Sequence, residues 1–274
     1  MDMNQVVAGR VKTMVQEGTL ENAQGLNRCL RLLALWRSRL IENELIARHG
    51  LTVQNGPFAG MVFRQTSTEG CIAAKLLGCY EAPLHPFLTE VTGAAFDDII
   101  DIGSAEGYYA VGLARRTTTT RIHAHDIDPQ AQEAVHELAA LNGVSGRIAV
   151  GGEFRGADFA GFAGRRTLVV VDIEGAEDAL LRPDLYPALK GMTILVECHD
   201  VFKPGLCDAI AGRFLESHRV RRVEEALTPP ALPEWFAQTT HLDRLLSMWE
   251  WRAGPTPWLV MRPKGDPKGA SGTA

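Results

Sequence analysis

The sequence predicts an α/β fold: a doubly wound, mostly parallel seven-stranded sheet of the Rossmann-like kind, with an N-terminal helical extension. Three observations predict it. From residue 97 onward, apolar strand-like runs alternate with helical patterns, the rhythm of parallel strands joined by crossover helices. The first of those strands runs into a glycine-containing turn and then a helix, as at the start of a doubly wound sheet. With 274 residues, 46% of them apolar, the chain is long enough to bury one full core.

The elements follow in order. A short helical pattern covers residues 5–16. A stronger one covers 21–49, where Leu26, Leu30, Leu33, Trp36 and Leu40 step by three or four and Gly50 is placed to end it. This helix either packs on its own domain or serves as a lid or a homodimer contact. Asn55-Gly56-Pro57 marks a turn, residues 60–63 read as a short strand, and 73–78 with 80–92 read as a broken helical stretch. Strands are expected at 99–102, 122–125, 148–150, 168–171 and 194–196. Between the second and third, Asp128 stands at a helix cap and Pro129 in the first turn. Ala131, Val135, Leu138 and Leu141 form the apolar face, and Asn142-Gly143 closes the helix. A helix at 206–216, a strand at 220–223, a Pro-rich segment at 228–233, a helical piece at 242–249 and a strand at 258–261 complete the series. Residues 1–75 thus form a helical region and cover, 76–263 the α/β domain, and 264–274, rich in Gly, Pro, Lys and Ser, a disordered tail.

Composition excludes several classes. A net charge of -5, with no basic run of five or more, argues against affinity built on phosphate backbones, so no nucleic acid partner is expected. The five cysteines include no Cys-x-x-Cys pair and read as reduced, mostly buried thiols. The N-terminus lacks the pattern of a secretory leader. The longest apolar stretch, 30–36, is interrupted by Arg31, so no membrane partner is expected and the cytoplasm is the expected compartment.

The loop Asp101-Ile102-Gly103-Ser104-Ala105-Glu106-Gly107 lies where such sheets bind ligands, beyond the carboxyl end of the first strand. A dinucleotide site wants Gly-x-Gly-x-x-Gly and a helix start open to pyrophosphate. Here the spacing is Gly103-x-x-x-Gly107, and Glu106 would repel phosphate. S-adenosylmethionine carries an ammonium and a sulfonium but no phosphate, so Asp101 and Glu106 suit it, while Gly103 and Gly107 let the backbone approach its methionine portion. At the end of the second strand Asp126, followed by Ile127, is placed to accept both ribose hydroxyls, whereas Asp128 has its own role as a cap. After the third strand, Phe154 is a candidate to stack on adenine and Glu153 to meet its amino group. Tyr80 and Glu81, ahead of the sheet, could fold over the methionine end with His85 nearby, or Tyr80 could be a core aromatic.

With these residues in view, the stretch 76–204 resembles the FkbM-like methyltransferases of the class I superfamily. The resemblance rests on Leu77-Gly78-Cys79-Tyr80-Glu81, on Ile100 to Tyr109 at the cofactor loop, and above all on Val171-Asp172-Ile173-Glu174-Gly175-Ala176-Glu177 after the fourth strand. It implies a Rossmann-like domain that transfers a methyl group, usually to a hydroxyl of a sugar or natural product. Family members often have Glu-Pro where this chain has Asp126-Ile127, and a Lys before the fourth-strand aspartate where it has Val170-Val171.

Methyl transfer is an in-line displacement, so holding the acceptor close and aligned supplies up to roughly 7–11 kcal/mol, and a hydroxyl must also lose its proton. Asp172, Glu174, Glu197, His199 and Asp200 are expected to converge at the sheet's carboxyl edge. His199 is the preferred general base, with Asp172 and Glu174 beside it, unless its role is to hold a loop. Asp172, Glu197 and His199 could instead hold a divalent metal such as Mg. Glu177 is read as organising a helix start. Trp235, Phe236, His241 and Trp249 are candidates for an acceptor-site cover or for packing. The leading expectation is therefore an S-adenosylmethionine-dependent O-methyltransferase acting on a small molecule. A non-catalytic S-adenosylmethionine-binding regulatory or scaffolding protein and an NAD-dependent oxidoreductase are the alternatives.

Overall fold

Strands buried on both faces are mostly apolar, and the central segments are, apart from Asp98, Asp101, Thr167, Thr193 and Glu197. In β1 (Asp98–Ile102), β4 (Thr167–Val171) and β5 (Thr193–Glu197) every residue is buried in the structure, a computed structural model that describes residues 2–64, 71–226 and 234–265. With β2 (Arg121–His125), β3 (Ile148–Gly151), β6 (His218–Val223) and β7 (Trp258–Pro263) they form one seven-stranded sheet in the order β3-β2-β1-β4-β5-β7-β6. Strands β1 to β5 pair in parallel, and β7 runs antiparallel between β5 and β6. The chain winds outward from β1 to β3 and then returns to β4, so the order reverses between β1 and β4. That switch point opens a crevice at the carboxyl ends of these two strands.

Alternation along the strands builds two cores. Ile99, Leu168, Val170, Leu195 and Val260 face one layer, and Ile100, Ile102, Val169, Val171, Ile194 and Val196 face the other. The first layer includes α5 (Tyr108–Arg116) and α6 (Pro129–Leu141), and the second α7 (Glu177–Leu180) and α8 (Leu206–Phe214). Asp128 caps α6 as expected, its Oδ1 accepting from Gln130 N at 2.9 Å.

The N-terminal helices are α1 (Met3–Gln16) and α2 (Ala23–His49), the latter capped by Asn22. Of the apolar stripe on α2, Trp36 and Leu40 are half-buried, while Leu26, Leu30 and Leu33 are 55%, 65% and 41% exposed. The buried face of α2 carries Cys29, Ser38, Ile41 and Leu45 instead, and α2 is tied to α9 (His241–Ser247) by a two-pronged Arg37–Asp243 pair at 2.7 and 2.6 Å. The expected strand at 60–63 reduces to a single bridge, Thr52 to Val62. The broken helical stretch after it divides into α3 (Ile72–Leu77) and α4 (His85–Gly93), because Gly78 ends the first in a left-handed conformation and Pro83 intervenes, while Pro86 sits in the first turn of α4. All five cysteines are buried and free. Among the described residues no helix is long and apolar enough to cross a membrane. The Pro-rich segment 228–233, the Trp235 side chain and the tail from 266 lie outside the described residues.

Candidate cofactor and active site

The loop after β1 is held by backbone chemistry. Gly103 and Ser104 both donate their N–H groups to His125 O, at 2.9 and 3.0 Å. Gly103 has φ 80°, and a Cβ there would lie 1.7 Å from the Asp172 carbonyl oxygen, so no other residue fits. Asp126 closes the loop from β2: its Oδ2 accepts from Ala105 N and its Oδ1 from Asp128 N, each at 2.9 Å. A carboxylate has about four acceptor sites, so Asp126, half-buried, keeps capacity for further donors. Beside it Ile127 is 80% exposed. Ser104 Oγ is buried and has no hydrogen-bond partner among the described residues. Tyr80, Asp101, Gly103, Ser104, Glu106, Tyr109 and Asp172 line one small cavity at this point.

Glu106 corrects one expectation. It does not present a bare charge at the start of α5; it is buried and paired at 2.6 Å with Lys75 Nζ, itself 1% exposed on α3. Lys75 Nζ also lies over the ring of Tyr80, 4.8 Å from its centroid. The physical reason is that a lysine in the apolar run Ile72 to Leu77 must be buried with a counter-charge. The pair is neutral, so the repulsion of phosphate argued from Glu106 is cancelled. Lys75 was legible as the one cation of that run but had no assigned partner.

The adenine candidates also fall differently. Phe154 is a core aromatic, packed against His125 and Phe159 with ring centroids at 5.0 and 4.9 Å. Glu153 is exposed and pairs with Arg155 at 2.8 Å.

At the ends of β4 and β5 the structure does bring acids and a histidine together. His199 is buried, and its Nδ1 lies 2.7 Å from Glu177 Oε1. An ionised carboxylate only accepts, so Nδ1 carries the hydrogen and Nε2 is left facing Asp172 Oδ1 at 3.6 Å and Glu197 Oε2 at 3.5 Å. Burial pulls the imidazole pKa down. The Glu177 hydrogen bond and the charges of Asp172, Glu177 and Glu174 outweigh it, and the pKa rises above its ordinary value. Glu177 does organise the turn before α7, accepting from Gly175 N at 3.1 Å, but it also orients His199, which the sequence reading missed. Glu174 is exposed, in a left-handed conformation, and acts on His199 only through its charge. Asp200 accepts from Cys207 N at 2.9 Å and holds the loop leading into α8.

A second network adjoins the first. Arg252 donates to Glu81 Oε1 at 2.6 Å, to Glu250 Oε2 at 3.0 Å, and to Glu197 and Thr256. Tyr109 O–H donates to Glu81 Oε2. Arg252 and Glu250 were not predicted, because they follow α9 in a segment with no periodic pattern. Of the proposed cover residues, Phe236 is buried core, His241 is exposed, and Trp249 is half-buried.

The sheet order, the antiparallel β7 and the loop at the β1–β4 switch point complete the architecture. It is a Rossmann-like fold with one antiparallel strand, β7, between β5 and β6. No family model matches this chain, and no curated protein matches it. Among solved structures it is similar to the C-terminal domain of precorrin-6Y C5,15-methyltransferase from Rhodobacter capsulatus (13% identity, 66% of this chain, 87% of that one, TM-score 0.44). It is also similar to the O-methyltransferase TomG from Streptomyces achromogenes, solved in complex with SAM (16% identity, 67% and 79%, TM-score 0.43). A third is the O-methyltransferase from Bacillus cereus in complex with SAH (11% identity, 83% and 90%, TM-score 0.42). Identities and scores this low establish no relation of function, which rests on the site.

Asp172, Glu197 and His199 each offer one ligand atom, all within 4.8 Å of one another. Two carboxylate oxygens and one imidazole nitrogen suit a divalent cation, and Arg252 leaves Glu197 Oε2 for that use.

Proposed function

We propose that this chain is an S-adenosylmethionine-dependent methyltransferase that acts on a hydroxyl of a small molecule. The observation that carries the reading is the cradle at the switch point. Gly103 is pressed against the carbonyl of Asp172, the loop is pinned by Asp126, and Ser104 Oγ is buried there without a partner. In this reading the ribose hydroxyls donate to Asp126 and adenine covers the exposed Ile127. The methionine portion lies over Gly103 to Gly107 near Asp101, Tyr80 and Glu81. The acidic surroundings favour a sulfonium over a phosphate even with Glu106 neutralised by Lys75.

The chain's own residues then remove the acceptor's proton. Nε2 of His199 takes it, and Glu177, hydrogen-bonded to Nδ1, stabilises the imidazolium that results; such a base contributes typically 10²–10⁴-fold. A divalent cation held by Asp172, Glu197 and His199 would supply a lowered acceptor pKa. The two uses of His199 are separable, because activity lost on dialysis against EDTA and restored by Mg²⁺ assigns the metal, and activity that survives leaves His199 as the base. The FkbM-like motifs favour a sugar or natural-product hydroxyl as acceptor.

The donor reading is tested by a crystal structure with S-adenosylhomocysteine. The ribose hydroxyls are expected within hydrogen-bond distance of Asp126, and a nucleoside bound elsewhere would overturn the reading.

A further inference from the structure

A cavity of about 320 Å³ lies between the segment that follows α9 and the ends of β6 and β7. It adjoins the chemistry at three points. Glu81 lines it and receives Tyr109, which lines the cofactor cleft. Arg252 lines it and donates to Glu197. Trp258 lines it, pairs in register with Glu197 on β5, and meets the Tyr109 ring at 6.2 Å.

Its charges do not balance. Arg252 is shared among Glu81, Glu250 and Glu197, so one guanidinium faces three buried or half-buried carboxylates; Glu225, which accepts from Thr256 N at 2.8 Å, stands exposed at the cavity's wall. Excess negative charge at partly buried sites is costly unless a cation or a proton joins it. Independently, Trp258 Nε1–H is buried on a residue 3% exposed and has no acceptor among the described residues, an unmet donor that a ligand oxygen would satisfy.

We infer that this cavity is the acceptor site and that it takes a small amine-bearing hydroxyl compound, its ammonium held by Glu81, Glu225 and Glu250 and an oxygen held by Trp258 Nε1. The inference rests on the methyl-donor reading and adds the chemical class of the acceptor. Burial raises Glu250 to about 7, so without ligand the cluster keeps a proton that an ammonium replaces.

The test is calorimetry on the full chain, with and without S-adenosylhomocysteine, using three probes of one skeleton: tyramine, 4-ethylphenol and 3-(4-hydroxyphenyl)propionate. Tyramine is expected to bind at least tenfold more tightly than 4-ethylphenol, and the anion not at all. Glu250→Gln and Glu225→Gln should each erode that preference, and Trp258→Phe should weaken tyramine and 4-ethylphenol alike. Glu225→Gln keeps the test decisive if Glu250→Gln fails to fold. Equal affinities, preference for the anion, no amine binding, or a preference unchanged in Glu225→Gln would overturn the inference. Failure to bind S-adenosylhomocysteine would count against the donor reading instead, since amine binding is measured separately without it.

Discussion

The proposed chemistry depends on which nitrogen of His199 is free. Glu177 holds Nδ1, so Nε2 faces Asp172 and Glu197. Because the carboxylates raise the imidazole pKa, the base form appears only above the usual histidine range, and kcat/KM should rise with pH through a value higher than 6.5. His199→Ala should remove that limb and lower turnover about 10²–10⁴-fold while leaving S-adenosylhomocysteine affinity intact; unchanged turnover would remove His199 from the mechanism. Glu177→Gln should shift the same limb toward lower pH, an effect that a merely structural glutamate would not produce. Stability follows the same sign. A group whose folded pKa is raised stabilises the fold fully below its unfolded pKa and loses that contribution as pH rises through the folded value. Glu250, raised mainly by burial from 4.5 to about 7, should therefore cost the wild type stability between those values, and Glu250→Gln should flatten Tm across that window. Asp126 and His199 were legible because strand ends announce them. The pairings of Lys75, Glu250 and Arg252 were not, because a buried ion pair depends on a partner far along the chain, and nothing local names it.

Among the elements, α6 and the loop before it separate two neighbouring aspartates by role. Asp128 only caps the helix, so Asp128→Ala should cost about 1 kcal/mol, roughly 2–4 °C in Tm, and leave nucleoside binding unchanged. Asp126→Ala should weaken S-adenosylhomocysteine by roughly 10–100-fold, in line with about 1.5–3 kcal/mol for charge-assisted bonds; titration calorimetry on both variants checks the contrast. Both aspartates follow from the sequence, since cap and strand-end positions are local. The face that α2 buries does not: a step of three or four marks an apolar stripe, but small residues such as Gly25, Cys29 and Ser38 on the adjoining face allow closer packing, and Leu26, Leu30 and Leu33 remain outside. The helical stretch after residue 72 reads as broken in the sequence, and it is; the start of its second part moves from residue 80 to His85, because Gly78 and Pro83 interrupt the chain ahead of it.

For the whole molecule, alternation of strands and helices was enough to predict seven strands and a mostly parallel sheet, because each βα unit writes its own period. The insertion of β7 between β5 and β6 is a nonlocal choice. It sets Trp258 beside Glu197 and brings Arg252 to Glu81 and Glu197, so the part of the site least visible in the sequence is the part that topology assembles. The cofactor cradle, by contrast, comes from adjacent strand ends and was largely readable. If this cradle holds a methyl donor, titration calorimetry of the full chain, with NADH as control, should show saturable one-to-one binding of S-adenosylhomocysteine that Asp126→Ala weakens and no binding of NADH; preference for NADH, or no binding of either ligand, would mean that the cradle holds something else.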